Sequence, residues 1–439
     1  MTATGKRALG FWALLALVIG NMIGSGIYLL PATLAPLGWN QAIGWIITLG
    51  GALCLAVIFA ALSARIPRAG GPYAYADAAF GPLAGYVAAW SYWVMTWVGN
   101  GAIAIAVVSN LSLIFPVIGT VAGLPAVLAV GFVWLLTLVN LAGVRAAGRV
   151  QAITTVLKIL PLIGLIMLAL WFALSGAPHA PDPGVPLTSG NIAAAAGLTF
   201  WGFLGLESAT VPADKVQDPA RNVPRATMIG VVFTGLIYLG ISLAFAFYMP
   251  VGEAANSPAP VADFLGKTFG SGIAQVVALF AAISAFGALN GWILVQGEMP
   301  WAMARGGVFP AWFAKESTRG IPVRGHVVSS VLLSGMALLN AQKGMGKLFE
   351  FIGSVSIAAG LVAYLLSALA ALKLVRNMKT ASAALVAAAF TLWAEWGLGL
   401  EAMGYGAVLI AAGLALYPFV KSAGVSFAKS SAAAADPAE

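Results

Sequence analysis

The sequence predicts an all-α polytopic membrane protein of twelve transmembrane helices, arranged as a 5+5 inverted repeat with broken first and sixth helices. Three observations carry this. The 439-residue chain is 61% hydrophobic and only 8% charged, with a mean hydropathy of +0.96, whereas soluble domains are roughly a quarter charged. Lysine and arginine fall almost entirely on one side of the apolar runs. Two of those runs are interrupted near their middle, at Gly24-Ser25-Gly26 and at Gly202 and Gly205.

At about 20 apolar residues per span, the runs centre near residues 22, 52, 98, 133, 162, 203, 237, 287, 333, 362, 388 and 411. Residues 1–7 read as a cytoplasmic N-terminus. It leads into a long apolar run without a small-residue cleavage site, so the first span is retained rather than removed as a signal peptide. That span, ALVIGNMIGSGIYLLPATLAPL at 16–37, holds the Gly-Ser-Gly triplet at its centre. In hydrocarbon an unwound backbone persists only where protein buries it or it lines a polar cavity, so freed amides and carbonyls here point to a binding site. The same glycines would also serve close helix packing.

Between spans two and three, IPRAGGPYAYADAAFGP is too polar and glycine-rich to cross and suits a short helix at the cytoplasmic surface. The five spans of 8–175 form the first repeat, and the second, 190–375, opens on LTFWGFLGLESATV at 198–211. An odd number of spans separates the two broken starts, so the second half enters from the opposite side. Glycine-interrupted spans at matching places in two such halves mark the substrate site of secondary transporters. Between spans seven and eight, VGEAANSPAPVADFLGKTFG reads as an external loop with a short amphipathic piece. Either connector could act as a gate or simply connect. Helices eleven and twelve, at 381–421, stand outside the repeat, and 422–439 is a cytoplasmic tail whose end, SSAAAADPAE, reads as disordered.

With the N-terminus cytoplasmic, the inner segments collect Arg65, Arg68, Arg145, Arg149, Arg221, Arg225, Arg305, Arg324, Lys373, Arg376 and Lys379 among others, while the outer ones hold only Lys267, Lys343 and Lys347. This positive-inside pattern places both termini inside and makes the net charge of +8 topological rather than a sign of nucleic-acid binding. Cys54 is the only cysteine, and the two histidines, His179 and His326, fall in loops or at span ends. No intrachain disulfide, metal site, cofactor or enzymatic centre is expected.

Three motifs then occur in order. They are Gly20-Asn21-Met22-Ile23-Gly24-Ser25-Gly26-Ile27, the Gly-Gly-Pro-Tyr-Ala-Tyr of 70–75, and Glu207 followed by Asp218-Pro219-Ala220-Arg221-Asn222-Val223-Pro224-Arg225. Together they resemble the amino acid-polyamine-organocation (APC) superfamily over nearly the whole chain. Within it the closest likeness is to the basic amino acid and polyamine antiporters, arginine/agmatine-type exchangers among them. The resemblance implies alternating access in the inner membrane, with an amino acid or amine held between the broken first and sixth spans. A homodimer is left open.

Carried over residue by residue, the resemblance implies a substrate site of Ile23, Ser25, Gly26, Met95, Thr96, Asn100, Trp201, Leu204, Trp292 and Ser356. Amides opening the half-helix after the first break suit a carboxylate, and carbonyls near Trp201 to Leu204 suit an ammonium. Trp292 would face a cationic side chain, a contact worth about 0.5 to 2 kcal/mol, and Asn100 and Ser356 would accept hydrogen bonds from it. Trp201 would cover the substrate from outside, with Tyr92, Glu207 and Tyr364 closing the inward route. Asn100 could instead only bridge helices.

Two departures from the arginine exchangers stand out. Met95 and Thr96 replace small residues, and Lys158 lies inside the fifth span, in TTVLKILPLIGL. An intramembrane lysine is costly and a functional candidate by default. It could snorkel to the cytoplasmic side, brace the first break, or exchange a proton during the cycle. Neutral amino acid permeases often carry such a lysine, where sodium-coupled relatives bind a cation, so sodium coupling is not expected. Glu207 is the other coupling candidate, either as a proton-sensitive gate or as a static hydrogen-bonded brace. The expected activity is exchange of cationic amino acids and their amines. The alternative is proton-linked transport or exchange of neutral amino acids.

Overall fold

Once water is removed, an apolar run can satisfy its own backbone only as a helix, and the computed structural model is helical throughout. It describes residues 10–24, 26–66, 71–142, 144–210, 216–318 and 320–434, with no strand among them. The first half comprises α1 (Phe11–Met22), α2 (Gly26–Leu34), α3 (Asn40–Arg65), α4 (Pro72–Phe80), α5 (Pro82–Ser112), the single turn α6 (Val117–Thr120), α7 (Leu124–Ala142) and α8 (Val144–Ser175). The second comprises α9 (Ser189–Thr199), a 3-10 turn (Phe200–Phe203), α10 (Pro219–Tyr248), α11 (Val251–Asn256), α12 (Pro260–Phe269), α13 (Ser271–Arg305), α14 (Val323–Leu339) and α15 (Met345–Leu374). Helices α16 (Met378–Gly397) and α17 (Gly399–Ala434) follow.

Nine helical stretches among the described residues are long and apolar enough to cross a membrane, so this is a multi-pass membrane protein. The three other expected spans are shorter or more polar. Helix α9 stops after 11 residues, where the second break begins. Helix α14 has 17 residues, and α16 carries Lys379 near its start and Glu395 near its end. The short helix expected between spans two and three is α4, and the connector between spans seven and eight folds as α11 and α12. The last helix continues to Ala434, so the stretch that reads as a disordered tail is helical that far. Its alanine run has the highest helix propensity of any residue.

Helix α5 is the axis of the molecule, with 94% of its apolar window buried. It packs along α15 and α13, while α3 packs against α9 and α10, α8 against α13, and α1 against α10. Helix α8 turns an exposed stripe outward, made of Leu160, Ile163, Met167, Leu170, Trp171 and Leu174. Spacing of three and four puts these side chains on one helix face. In water such a stripe would be an association surface; in a bilayer it faces lipid.

Both interruptions are real breaks. After Met22 the chain leaves the helix at Ile23 (φ −74°, ψ 80°), and α2 restarts at Gly26. The second break runs through the 3-10 turn to Leu204, whose ψ is 130°, and to Gly205 at φ +99°. That left-handed conformation favours glycine. Thus the same residue that interrupts the apolar pattern also makes the turn.

Candidate functional site

The two breaks meet at one cavity. From the first come Asn21, Met22, Gly24 and Gly26; from the second, Trp201 and Leu204. Helix α5 contributes Met95, Thr96, Gly99, Asn100 and Ile103, α13 contributes Trp292, and α15 contributes Ser356. No charged side chain among the described residues lines it.

Of the ten residues expected to bind substrate, Gly26, Met95, Thr96, Asn100, Trp201, Leu204, Trp292 and Ser356 therefore share this wall. Ile23 is fully buried but off the wall, and Ser25 lies outside the described residues. Five further wall residues were not among those ten. Asn21, Met22 and Gly24 sit inside the first motif. Gly99 and Ile103 share a helix face with Thr96 and Asn100, so a spacing of three and four would have found them.

Local chemistry explains how the broken ends are held. A helix leaves its last four carbonyls without intrahelical partners. In α1, the Ile19 carbonyl accepts from the Ile23 amide at 2.8 Å, the Gly20 carbonyl from Lys158 Nζ at 2.6 Å, and the Met22 carbonyl from the Tyr238 hydroxyl at 2.6 Å. The Lys158 side chain is fully buried and points to this turn rather than to the cytoplasmic surface. Its own carbonyl accepts from the Tyr28 hydroxyl at 2.5 Å, so one residue ties α8 to both sides of the first break. The breaks are also joined to each other, because Asn21 Nδ2 donates to Ser208 Oγ at 2.9 Å and that hydroxyl donates to the Gly205 carbonyl.

Trp201 lies across the start of α2. A Cβ on Gly26 would sit 2.2 Å from its Cδ1, and the far side of the indole meets Phe349 edge-on at 6.0 Å. Trp292 stands beside Gly205. The Ser356 hydroxyl donates to the Met95 carbonyl at 2.7 Å, which leaves its oxygen able to accept. Asn100 Nδ2 donates to Gln296 Oε1 at 2.8 Å, while its Oδ1 is buried without a partner.

Beyond the cavity, Glu207 gathers the expected closing residues into one network. Its Oε1 accepts from the Tyr92 hydroxyl at 2.7 Å; its Oε2 accepts from the Tyr364 hydroxyl at 2.5 Å and from the Gly205 amide at 3.2 Å. All three side chains are buried. A buried carboxyl is tolerable only when its oxygens are satisfied, and this one is.

Comparison with known proteins fits this architecture. The sequence-family model described as "Amino acid permease" matches residues 9–430. The putrescine transporter PotE of Haemophilus influenzae is 31% identical over 429 residues, covering 96% of this chain and 98% of that protein. PotE of Escherichia coli is 30% identical over 431 residues with the same coverage. The cadaverine/lysine antiporter of Escherichia coli is 33% identical over 339 residues, 76% of each chain.

Proposed function

The chain belongs to the amino acid permease family, and we propose that it is a secondary-active exchanger of cationic amino acids for their decarboxylated amines, working by alternating access. The observation that carries this reading is the cavity where the two helix breaks meet, lined by residues of both breaks together with Trp292, Asn100 and Ser356. The similarity to putrescine and cadaverine/lysine carriers supports the substrate class.

The chemistry of exchange divides the labour between the two ends. An amino acid presents a carboxylate, which suits the amides opening α2. Its decarboxylated amine does not, so what the two substrates share is their cationic groups, the distal one among them. That end is served by the indole face of Trp292 and by the acceptor oxygens of Asn100 and Ser356. In this reading Trp201 covers the substrate from outside, the Tyr92–Glu207–Tyr364 network closes the inward route, and Lys158 braces the first break. Residues 8–175 and 190–375 form the two inverted five-helix repeats, 381–421 adds two helices, and both termini lie on the cytoplasmic side of the inner membrane.

Two observations favour a second reading, proton-linked transport or exchange of neutral amino acids. Met95 lines the cavity, and Lys158 is wholly buried beside the break. Counterflow in proteoliposomes with lysine, arginine, agmatine, putrescine, alanine and leucine, at two pH values, separates them. Trans-stimulation by the cationic compounds is expected. Stimulation by alanine or leucine alone would select the second reading.

A further inference from the structure

One amide in the cavity wall is only half satisfied, and its orientation matters because its two ends have opposite hydrogen-bonding sense. With Nδ2 of Asn100 committed to Gln296 and Oδ1 buried without a partner, this wall residue keeps an acceptor free. A half-turn of the amide would offer a donor instead.

What holds the amide one way round begins on α7. The Thr137 hydroxyl donates to the Val133 carbonyl at 2.7 Å, and a carbonyl can only accept. With its single proton used, Thr137 must accept at its 2.8 Å contact with Ser330 on α14. Ser330 therefore donates there and accepts from Gln296 Nε2 at 3.1 Å. Gln296 on α13 is left to turn Oε1 toward Asn100, which must answer with Nδ2. The Gln296 backbone is held as well, since its carbonyl accepts from Ser329 Oγ at 3.1 Å and that hydroxyl accepts from Trp93 Nε1 at 2.9 Å. Thr137, Ser330, Gln296 and Asn100 are all buried, so removing a link anywhere along the chain would leave a polar group unsatisfied away from water.

We infer that Gln296 is a positioning residue, anchored through Ser330 and Thr137, which fixes the Asn100 amide with its acceptor oxygen toward the substrate. The cavity is thereby selective for a distal group that donates hydrogen bonds, an ammonium or guanidinium, over an apolar or accepting one. This deepens the proposed function and rests on it. A substrate ending in an acceptor would set oxygen against oxygen, the repulsive element that specificity needs.

Lysine and norleucine, identical but for the terminal ammonium, are the probes. Their half-inhibition of labelled lysine counterflow is measured for the unaltered protein, Gln296→Met and Thr137→Val, with thermal unfolding followed in parallel. In both variants the preference for lysine over norleucine should fall about tenfold, the effect of one hydrogen bond to a charged group, while inhibition by norleucine stays within about twofold. In an Asn100→Ala background, Gln296→Met should add no further change to the ratio. Thr137→Val is isosteric and lies off the cavity wall, so it carries the readout if Gln296→Met does not fold. An unchanged ratio, or equal loss for both ligands, would overturn the inference while leaving the proposed function standing. An unaltered protein that does not prefer lysine would sink both.

Discussion

The Lys158 amine on α8 donates to the Gly20 carbonyl on α1 at 2.6 Å, which places a hydrogen-bond donor against the open C-terminal end of a broken helix. Such a donor is favoured by the helix dipole and satisfies a carbonyl that has lost its helical partner.

Replacing Lys158 with Met keeps the length and removes the donor. The orphaned carbonyl should cost about 1 to 3 kcal/mol, seen as a lowered unfolding temperature in detergent. Transport should change in its pH dependence or in its preferred conformation. A variant with unaltered stability and transport would show that the amine does not brace the break.

Gly26→Ala tests the cover over the site. Its Cβ would fall 2.2 Å from Trp201 Cδ1, so the indole must move off the start of α2. Substrate affinity should drop at least tenfold with little change in folding. Equilibrium binding beside a circular dichroism melt would check this, and retained affinity would place the substrate elsewhere.

Trp292→Ala should weaken cationic substrates more than neutral ones, by about 0.5 to 2 kcal/mol. The measurement is competition by lysine and leucine against one labelled substrate. Equal loss for the two would make Trp292 a packing residue.

Tyr364→Phe removes one donor from Glu207 while keeping the ring. If this network closes the inward route, the turnover rate should fall while the binding constant stays near its original value. Loss of binding with unchanged turnover would assign the network to the site itself. The comparison needs counterflow rates and equilibrium affinity on the same preparation.

Much of this was legible in the sequence because it follows from solvent. A bilayer admits only self-satisfied backbone, so composition and run length gave the helices, and the glycine interruptions gave both breaks. Eight of the expected binding residues share one wall because the motifs fall at the breaks and on neighbouring helices. Gly99 and Ile103 were missed because they look like ordinary helix filling. Gln296 carried no signal at all, since a lone glutamine in an apolar run does not say which partner it meets 196 residues away.

Sequence alone determined the membrane class, the places where helices must break, and the residue types available to a cationic substrate. Only the tertiary structure decided the direction of Lys158, which a flexible stem could have sent to the surface, and the closure of Glu207 by two tyrosines from separate helices. It also decided that the Asn100 amide gives Nδ2 to Gln296 and leaves Oδ1 without a partner. These are matters of hydrogen-bond direction between distant segments, and a buried donor or acceptor takes its partner from whatever packing brings within about 3 Å, which no local pattern encodes.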